Sequence, residues 1–148
     1  LQSANMSIGI NLLLNFVEKA SEKLISEKYD AEISESHHRH KLDSPSGTAL
    51  VLGETIAKSR NVNFNKNKVL DRSSKNIKRK IGEIGFSVTR AGEIAGEHTV
   101  SFIGDNDQIE LTHRAKNRSI FVEGAMSAAK WLVNQNPGLY SMKNILGT

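Results

Sequence analysis

The chain has 148 residues, 38% of them hydrophobic and 24% charged, with a net charge of +4. That length and balance give one globular domain large enough for a core and exclude a disordered chain. Cysteine is absent, which excludes disulfides and thiolate metal sites and is compatible with a reducing cytoplasm, and no apolar run reaches membrane-spanning length.

Ser3-Ala4-Asn5-Met6 reads as a strand end or loop feeding a first helix, capped by Ser7 and running to about Ile25. Ile10, Leu13, Leu14, Val17, Ala20 and Leu24 recur at helical spacing, and Glu18, Lys19, Glu22 and Lys23 take the other face. Tyr29 to His37 reads as a strand, Ala31 and Ile33 alternating with Glu32 and Ser34. A second helix opens at Pro45-Ser46-Gly47-Thr48, with Ser46 as N-cap, and runs to about Ser59, burying Ala49, Leu52 and Ile56.

Residues 60–80 lack periodicity and read as a long exposed loop. Within it, residues 61–80 hold seven Lys or Arg against one acid, Asp71, while the rest of the chain has 13 basic and 15 acidic residues. The basic charge therefore belongs to one loop. Three strands follow, at Ile84/Phe86/Val88, Val100/Phe102 and Ile109/Leu111, with a hairpin turn at Gly104-Asp105-Asn106-Asp107. A last long helix covers about Ile120 to Asn134, with Phe121, Ala125, Ala128 and Leu132 on one face, and Pro137-Gly138 ends it. The tail from Leu139 to Leu146 is too apolar for a free end. These elements predict an α+β domain, an open mixed or antiparallel sheet of about four strands with helices on one face.

Chemistry concentrates between Glu35 and Ala49. Three of the five histidines, His37, His38 and His40, fall within four residues, and Lys41 follows at the end of a predicted strand. Histidine can give or take a proton near neutral pH. Gly47 and Thr48 sit in the first turn of a helix, where N–H groups lack intrahelical partners and the dipole favours anions. Alone, the Pro-Ser-Gly-Thr turn reads as a capped helix. Beside the histidines and Lys41 it reads as a site for a small, multiply charged anion. No metal is expected, because adjacent His37 and His38 diverge and no carboxylate pair completes a ligand set. His98 and His113, on predicted strands, read as structural.

This stretch closely resembles the signature of the bacterial dihydrodipicolinate reductase family, Glu-x-His-His-x-x-Lys-x-Asp-x-Pro-Ser-Gly-Thr-Ala, at every fixed position from Glu35 to Ala49. Ala4-Asn5-Met6-Ser7, the run from Arg90 to Thr99, Glu110 to Ala115 and Pro137-Gly138-Leu139-Tyr140 also fit, with Met6, Ser44, Ala91 and Glu93 as mild departures. The resemblance implies an enzyme of lysine and diaminopimelate biosynthesis that reduces hydroxy-tetrahydrodipicolinate with NADPH or NADH, works in the cytoplasm and forms a homotetramer through its sheets. It implies His37 as acid/base residue and Lys41 as proton donor. His38, Lys41, Ser46, Gly47 and Thr48 would hold substrate carboxylates, Ala4, Asn5, Met6 and Ser7 would touch the cofactor, and Arg118 would help close the site.

No Gly-rich dinucleotide loop is present and the chain starts at Leu1. The expectation is therefore the C-terminal domain of a two-domain dehydrogenase, inactive alone. Residues 1–7 would be a hinge segment, 8–136 the substrate-binding and oligomerisation domain, and 137–148 a tail packing on a nucleotide-binding domain. Two other readings remain at this point. A thiol-dependent dehydrogenase of similar build is opposed by the lack of cysteine. A basic nucleic-acid-binding module using residues 66–80 would show salt-dependent binding, although the only aromatic of 61–80 is Phe64.

Overall fold

A computed structural model describes residues 1–73 and 76–147. In chain order the elements are α1 (Ile8–Lys23), β1 (Asp30–His37), α2 (Gly47–Ser59), α3 (Phe64–Asn67), β2 (Lys68–Val69), β3 (Ile84–Arg90), β4 (Glu97–Ile103), β5 (Gln108–Arg114), α4 (Ser119–Leu132) and α5 (Met142–Leu146). The strands form one mixed sheet in the order β2-β3-β1-β4-β5. β1 is central, parallel to β3 and antiparallel to β4.

Alternation decides the two faces of that sheet. Ala31 and Ile33 of β1, Ile84 of β3, and Val100 and Phe102 of β4 are completely buried. They meet Leu13 and Val17 of α1 and Ala49, Leu52 and Ile56 of α2, which form one hydrophobic core. The intervening positions are polar, and Thr99 and Thr112 share a 2.9 Å hydrogen bond between hydroxyls on β4 and β5. Caps start both long helices, with Ser7 Oγ accepting from Ile10 N–H and Ser46 Oγ from Ala49 N–H. Among the described residues, no helix is long and apolar enough to cross a membrane.

The sheet has five strands rather than about four. The extra one, β2, is two residues long and lies with α3 in the segment read as loop. Neither is long enough to show a period. α3 is held by Asn63, whose side chain accepts from Lys66 N–H, and by Phe64, edge-on to Phe86 at 6.2 Å. The basic loop is also less solvated than its composition implies. Arg79 pairs with Glu32 and Asp30, and Arg72 with Glu83 and Glu32. Lys75 of that loop lies outside the described residues.

The stripe read for α4 is shifted. Gly124 and Ala128 are its buried residues, while Ala125 is exposed. The cause is Gly124, on which the Met6 carbonyl lies so closely that a Cβ could not fit. The two chain ends meet each other, Gln2 N–H donating to the Tyr140 carbonyl at 2.8 Å. α5 packs on α1, its Met142 is completely buried, and Lys143 pairs with Glu18 at 2.7 Å. Val133 and Leu139 stay 82% and 81% exposed, so part of the apolar C-terminal region is uncovered in this chain.

Candidate functional site

Strand ends converge on the histidine cluster. β1 and β3 run parallel and finish together, with His37 opposite Arg90. β4 starts at the same edge, with Glu97 opposite Ser36, and β5 ends there, with Arg114 opposite Glu97. Because β1 lies between β3 and β4, the connection 91–96 must cross the end of β1. It is pinned there by Ala91 N–H to the His37 carbonyl (3.0 Å) and Arg39 N–H to the Gly92 carbonyl (3.1 Å). Gly96 has φ +150°, and a Cβ on it would stand 3.0 Å from His37 Nε2. Glycine lets the loop lie directly on that ring.

A cleft of about 230 Å³ opens at this edge, the end of parallel strands where α/β proteins place ligands. His37, His38 and Lys41 line it from the end of β1 and the loop after it. Gly47 and Thr48 line it from the mouth of α2, Ala4 and Asn5 from the N-terminal segment, and Arg118 with Phe121 from the start of α4. A Cβ at Gly47 would meet nothing within 4 Å, so space lies open above the first turn of α2.

The hydrogen bonds separate groups that are spent from groups that are available. Ser46 lines the cleft but is buried, its Oγ engaged by Ala49 N–H (3.2 Å) and by His98 Nε2 (3.1 Å), its N–H donating to Glu35 Oε1 (2.9 Å). It anchors the helix mouth instead of offering its own polar groups. Leu50 N–H is taken by the Ser46 carbonyl, so the orphan donors of the first turn are those of Gly47 and Thr48. Thr48 Oγ1 accepts from Asn5 Nδ2 (3.0 Å) and keeps its own proton to donate. Asn5 Oδ1 accepts from Ser7 N–H (2.8 Å). Met6 and Ser7 are set back from the cleft, Met6 with its carbonyl on Gly124 and Ser7 buried beneath its cap. His40 points elsewhere, to within 3.7 Å of Glu93.

The cations at the cleft carry counter-ions, Glu35 for Arg90 and Asp43 for Lys41. Lys41 Nζ stands 2.8 Å from Asp43 Oδ1. The Lys41 hydrogen bond holds the Asp43 carboxyl below its usual range, and the Gly47 N–H acts in the same direction. Burial lowers the proton affinity of His37, Lys41 and Arg90 lower it further, and Glu35 opposes them. His98, 4% exposed, is pushed down to about 4, chiefly by burial and then by His37.

Comparison with known proteins bears on this geometry. The family model described as dihydrodipicolinate reductase, C-terminus, matches residues 9–146. The chain belongs to the dihydrodipicolinate reductase C-terminal family. It is 49% identical over 146 residues to the 4-hydroxy-tetrahydrodipicolinate reductase of Bartonella tribocorum, covering 99% of this chain and 54% of that one. The reductase of the same name from Chromohalobacter salexigens is 46% identical over 143 residues, 97% of this chain and 53% of that one. A solved structure, dipicolinate-bound dihydrodipicolinate reductase from Paenisporosarcina sp. TG-14, superposes with a TM-score of 0.71 at 26% identity, covering 95% of this chain and 52% of that one. The chain spans about half the length of the curated relatives it matches.

Three residues of this family domain matter to the site but had no site role in the sequence reading, which took His98 as structural. Arg90 reaches Glu35 Oε1 at 2.8 Å and the Asp43 carbonyl at 2.6 Å, joining β3 to the loop before α2. Gly96 makes room for His37. His98 joins β4 to Ser46. Each is a partner across strands, and only the register brings it to the cleft.

Proposed function

We propose that this domain binds a small cyclic dicarboxylate, and that the protein it serves reduces hydroxy-tetrahydrodipicolinate to tetrahydrodipicolinate in lysine and diaminopimelate biosynthesis. The observation that carries the reading is one cleft holding Lys41, the open first turn of α2 and a histidine fixed by a buried carboxylate. Its support from outside the chain is the naming of the relatives and the dipicolinate-bound neighbour.

The net reaction removes water from the ring and adds a hydride and a proton. A nicotinamide cofactor, NADPH or NADH, would supply the hydride when bound. The groups of this chain do the rest. Gly47 and Thr48 N–H, the Thr48 hydroxyl, His38 and Lys41 hold the two carboxylates, charge-assisted hydrogen bonds being the strong ones. Ser46 serves from behind by fixing the helix mouth. Lys41 Nζ delivers the proton beside the carbon that is reduced, and His37 acts as acid/base residue at Nε2. Arg118 closes the outer side. The segment 4–7 fits a cofactor only in part. Ala4 and Asn5 border the cleft, but the Asn5 amide is spent on Thr48 and Ser7 and the Ser7 hydroxyl on Ile10. Contact there falls to the main chain and to the apolar surface of Ala4.

Glu35, His37 and His98 place ligand atoms within 4.8 Å of one another. We read them as a proton-holding network and not as a metal centre, because the Arg90 guanidinium already neutralises the carboxylate through Oε1 and His98 Nε2 is tied to Ser46 Oγ. The nucleic-acid reading of residues 66–80 is weakened by Arg72 and Arg79, both committed to carboxylates of the same domain. The polar face of the sheet is where a homotetramer would form, and a cytoplasmic setting suits the chemistry.

The test is cofactor oxidation with hydroxy-tetrahydrodipicolinate, by the chain alone and by the chain joined behind the N-terminal half of the Bartonella tribocorum reductase. The joined protein should turn over and lose that activity with His37→Ala and Lys41→Ala together. The isolated chain should not turn over. Full activity in the double variant would refute the assigned roles.

A further inference from the structure

Glu35 is 2% exposed and sits under the cleft on the central strand. A carboxylate so buried is destabilising unless each oxygen is satisfied. Oε1 accepts from Ser46 N–H at 2.9 Å and Arg90 Nη2 at 2.8 Å. Oε2 lies against His37 Nδ1. One carboxylate therefore touches both halves of the site, the acid/base ring and the residue that opens α2. Burial pushes the Glu35 carboxyl up, but Arg90, Ser46 N–H and His37 together hold it below its usual value, so it stays ionised.

An ionised carboxylate only accepts hydrogen bonds, so its histidine partner must carry a proton on Nδ1. That leaves Nε2 as the atom that exchanges protons, and Nε2 is the nitrogen at the Gly96 side of the ring. His98 stands edge-on to the ring at 5.0 Å and ties back to Ser46 Oγ, closing a loop of contacts through β1, β4 and α2.

We propose that Glu35 is the positioning residue of the site: it keeps His37 as the Nδ1–H tautomer, leaving Nε2 to exchange protons, and locks that ring to the anion-binding mouth of α2. The proposal deepens the reductase reading and rests on it for the role of His37. The charged and titratable groups that face His37 are Glu35 on its own strand, Arg90 from β3, His98 from β4, with His113 of β5 behind it, and Lys41 from the following loop. Glu35 alone among them favours a protonated ring.

The test is nitrogen-resolved NMR of the histidine rings in the 148-residue chain, wild type and Glu35→Gln, across pH and with pyridine-2,6-dicarboxylate. Wild-type His37 should be Nδ1–H above its titration midpoint. In Glu35→Gln the midpoint should fall by about half a pH unit or more, and dicarboxylate affinity should weaken about tenfold. Glu35→Asp, too short to span both partners, should behave like Glu35→Gln. An Nε2–H ring in the wild type overturns the proposal whether or not any variant folds, and so does a folded Glu35→Gln with tautomer and midpoint unchanged. A wild-type chain with Nδ1–H His37 that binds no dicarboxylate contradicts the dicarboxylate site placed on this domain while supporting the tie between Glu35 and His37.

Discussion

Asp43 holds the cation that the substrate needs. Its carboxylate is 2.8 Å from Lys41 Nζ, and the Gly47 N–H favours its ionised form, so an internal anion already engages two of the groups assigned to a substrate carboxylate. A ligand entering the cleft must displace it. Asp43 is largely exposed, and exposed ion pairs are weak, so the displacement costs little. Asp43→Asn should therefore tighten pyridine-2,6-dicarboxylate binding by up to about fivefold, read by calorimetry. Weaker binding in that variant would show that Asp43 positions Lys41 rather than competing for it. The histidines and Lys41 were legible in the sequence because their chemistry needs no fold to be recognised. The site roles of Arg90 and of His98, read as structural, were not, since each reaches the site only through its place opposite β1.

Two helix glycines separate fold from site at the scale of elements. Gly124 lies under the Met6 carbonyl, whereas the space over Gly47 is open. Gly124→Ala should destabilise the domain by about 1 to 3 kcal/mol, overpacking outweighing the gain in helix propensity. Gly47→Ala should melt close to wild type yet place a methyl where the dicarboxylate binds and weaken that binding. The pair is checked by thermal melts beside ligand titrations, and equal melting losses in both would contradict the assignment. Helices α1 and α2 could be read from sequence because Leu13, Val17, Leu52 and Ile56 keep a clean helical period and Ser7 and Ser46 cap them. The position of β1 could not. Local alternation identifies a strand but carries no information about a parallel partner far along the chain. The stripe of α4 was legible at Ala128 and at the half-buried Phe121 and Leu132 but not at Ala125, because a backbone contact at Gly124 selects the close-packed position.

For the whole molecule, the buried network under the cleft makes stability depend on pH. His98 titrates near 4 in the fold and near 6.5 when unfolded. Between those values the unfolded chain binds the extra proton, so stability falls as pH drops from about 6.5 to about 4, by up to about 3 kcal/mol. Glu35, with its folded value lowered, adds a further loss at lower pH as it protonates. Thermal melts at pH 7 and pH 4.5 should show this fall in wild type and a shallower one in His98→Gln. The central claim is that one dicarboxylate site resides on this domain, built on Lys41 and the mouth of α2. Calorimetric titration of the 148-residue chain with pyridine-2,6-dicarboxylate, beside Lys41→Ala, tests it most directly. The wild type should bind, and Lys41→Ala should abolish that binding. Equal binding by both, or binding by neither, would contradict it.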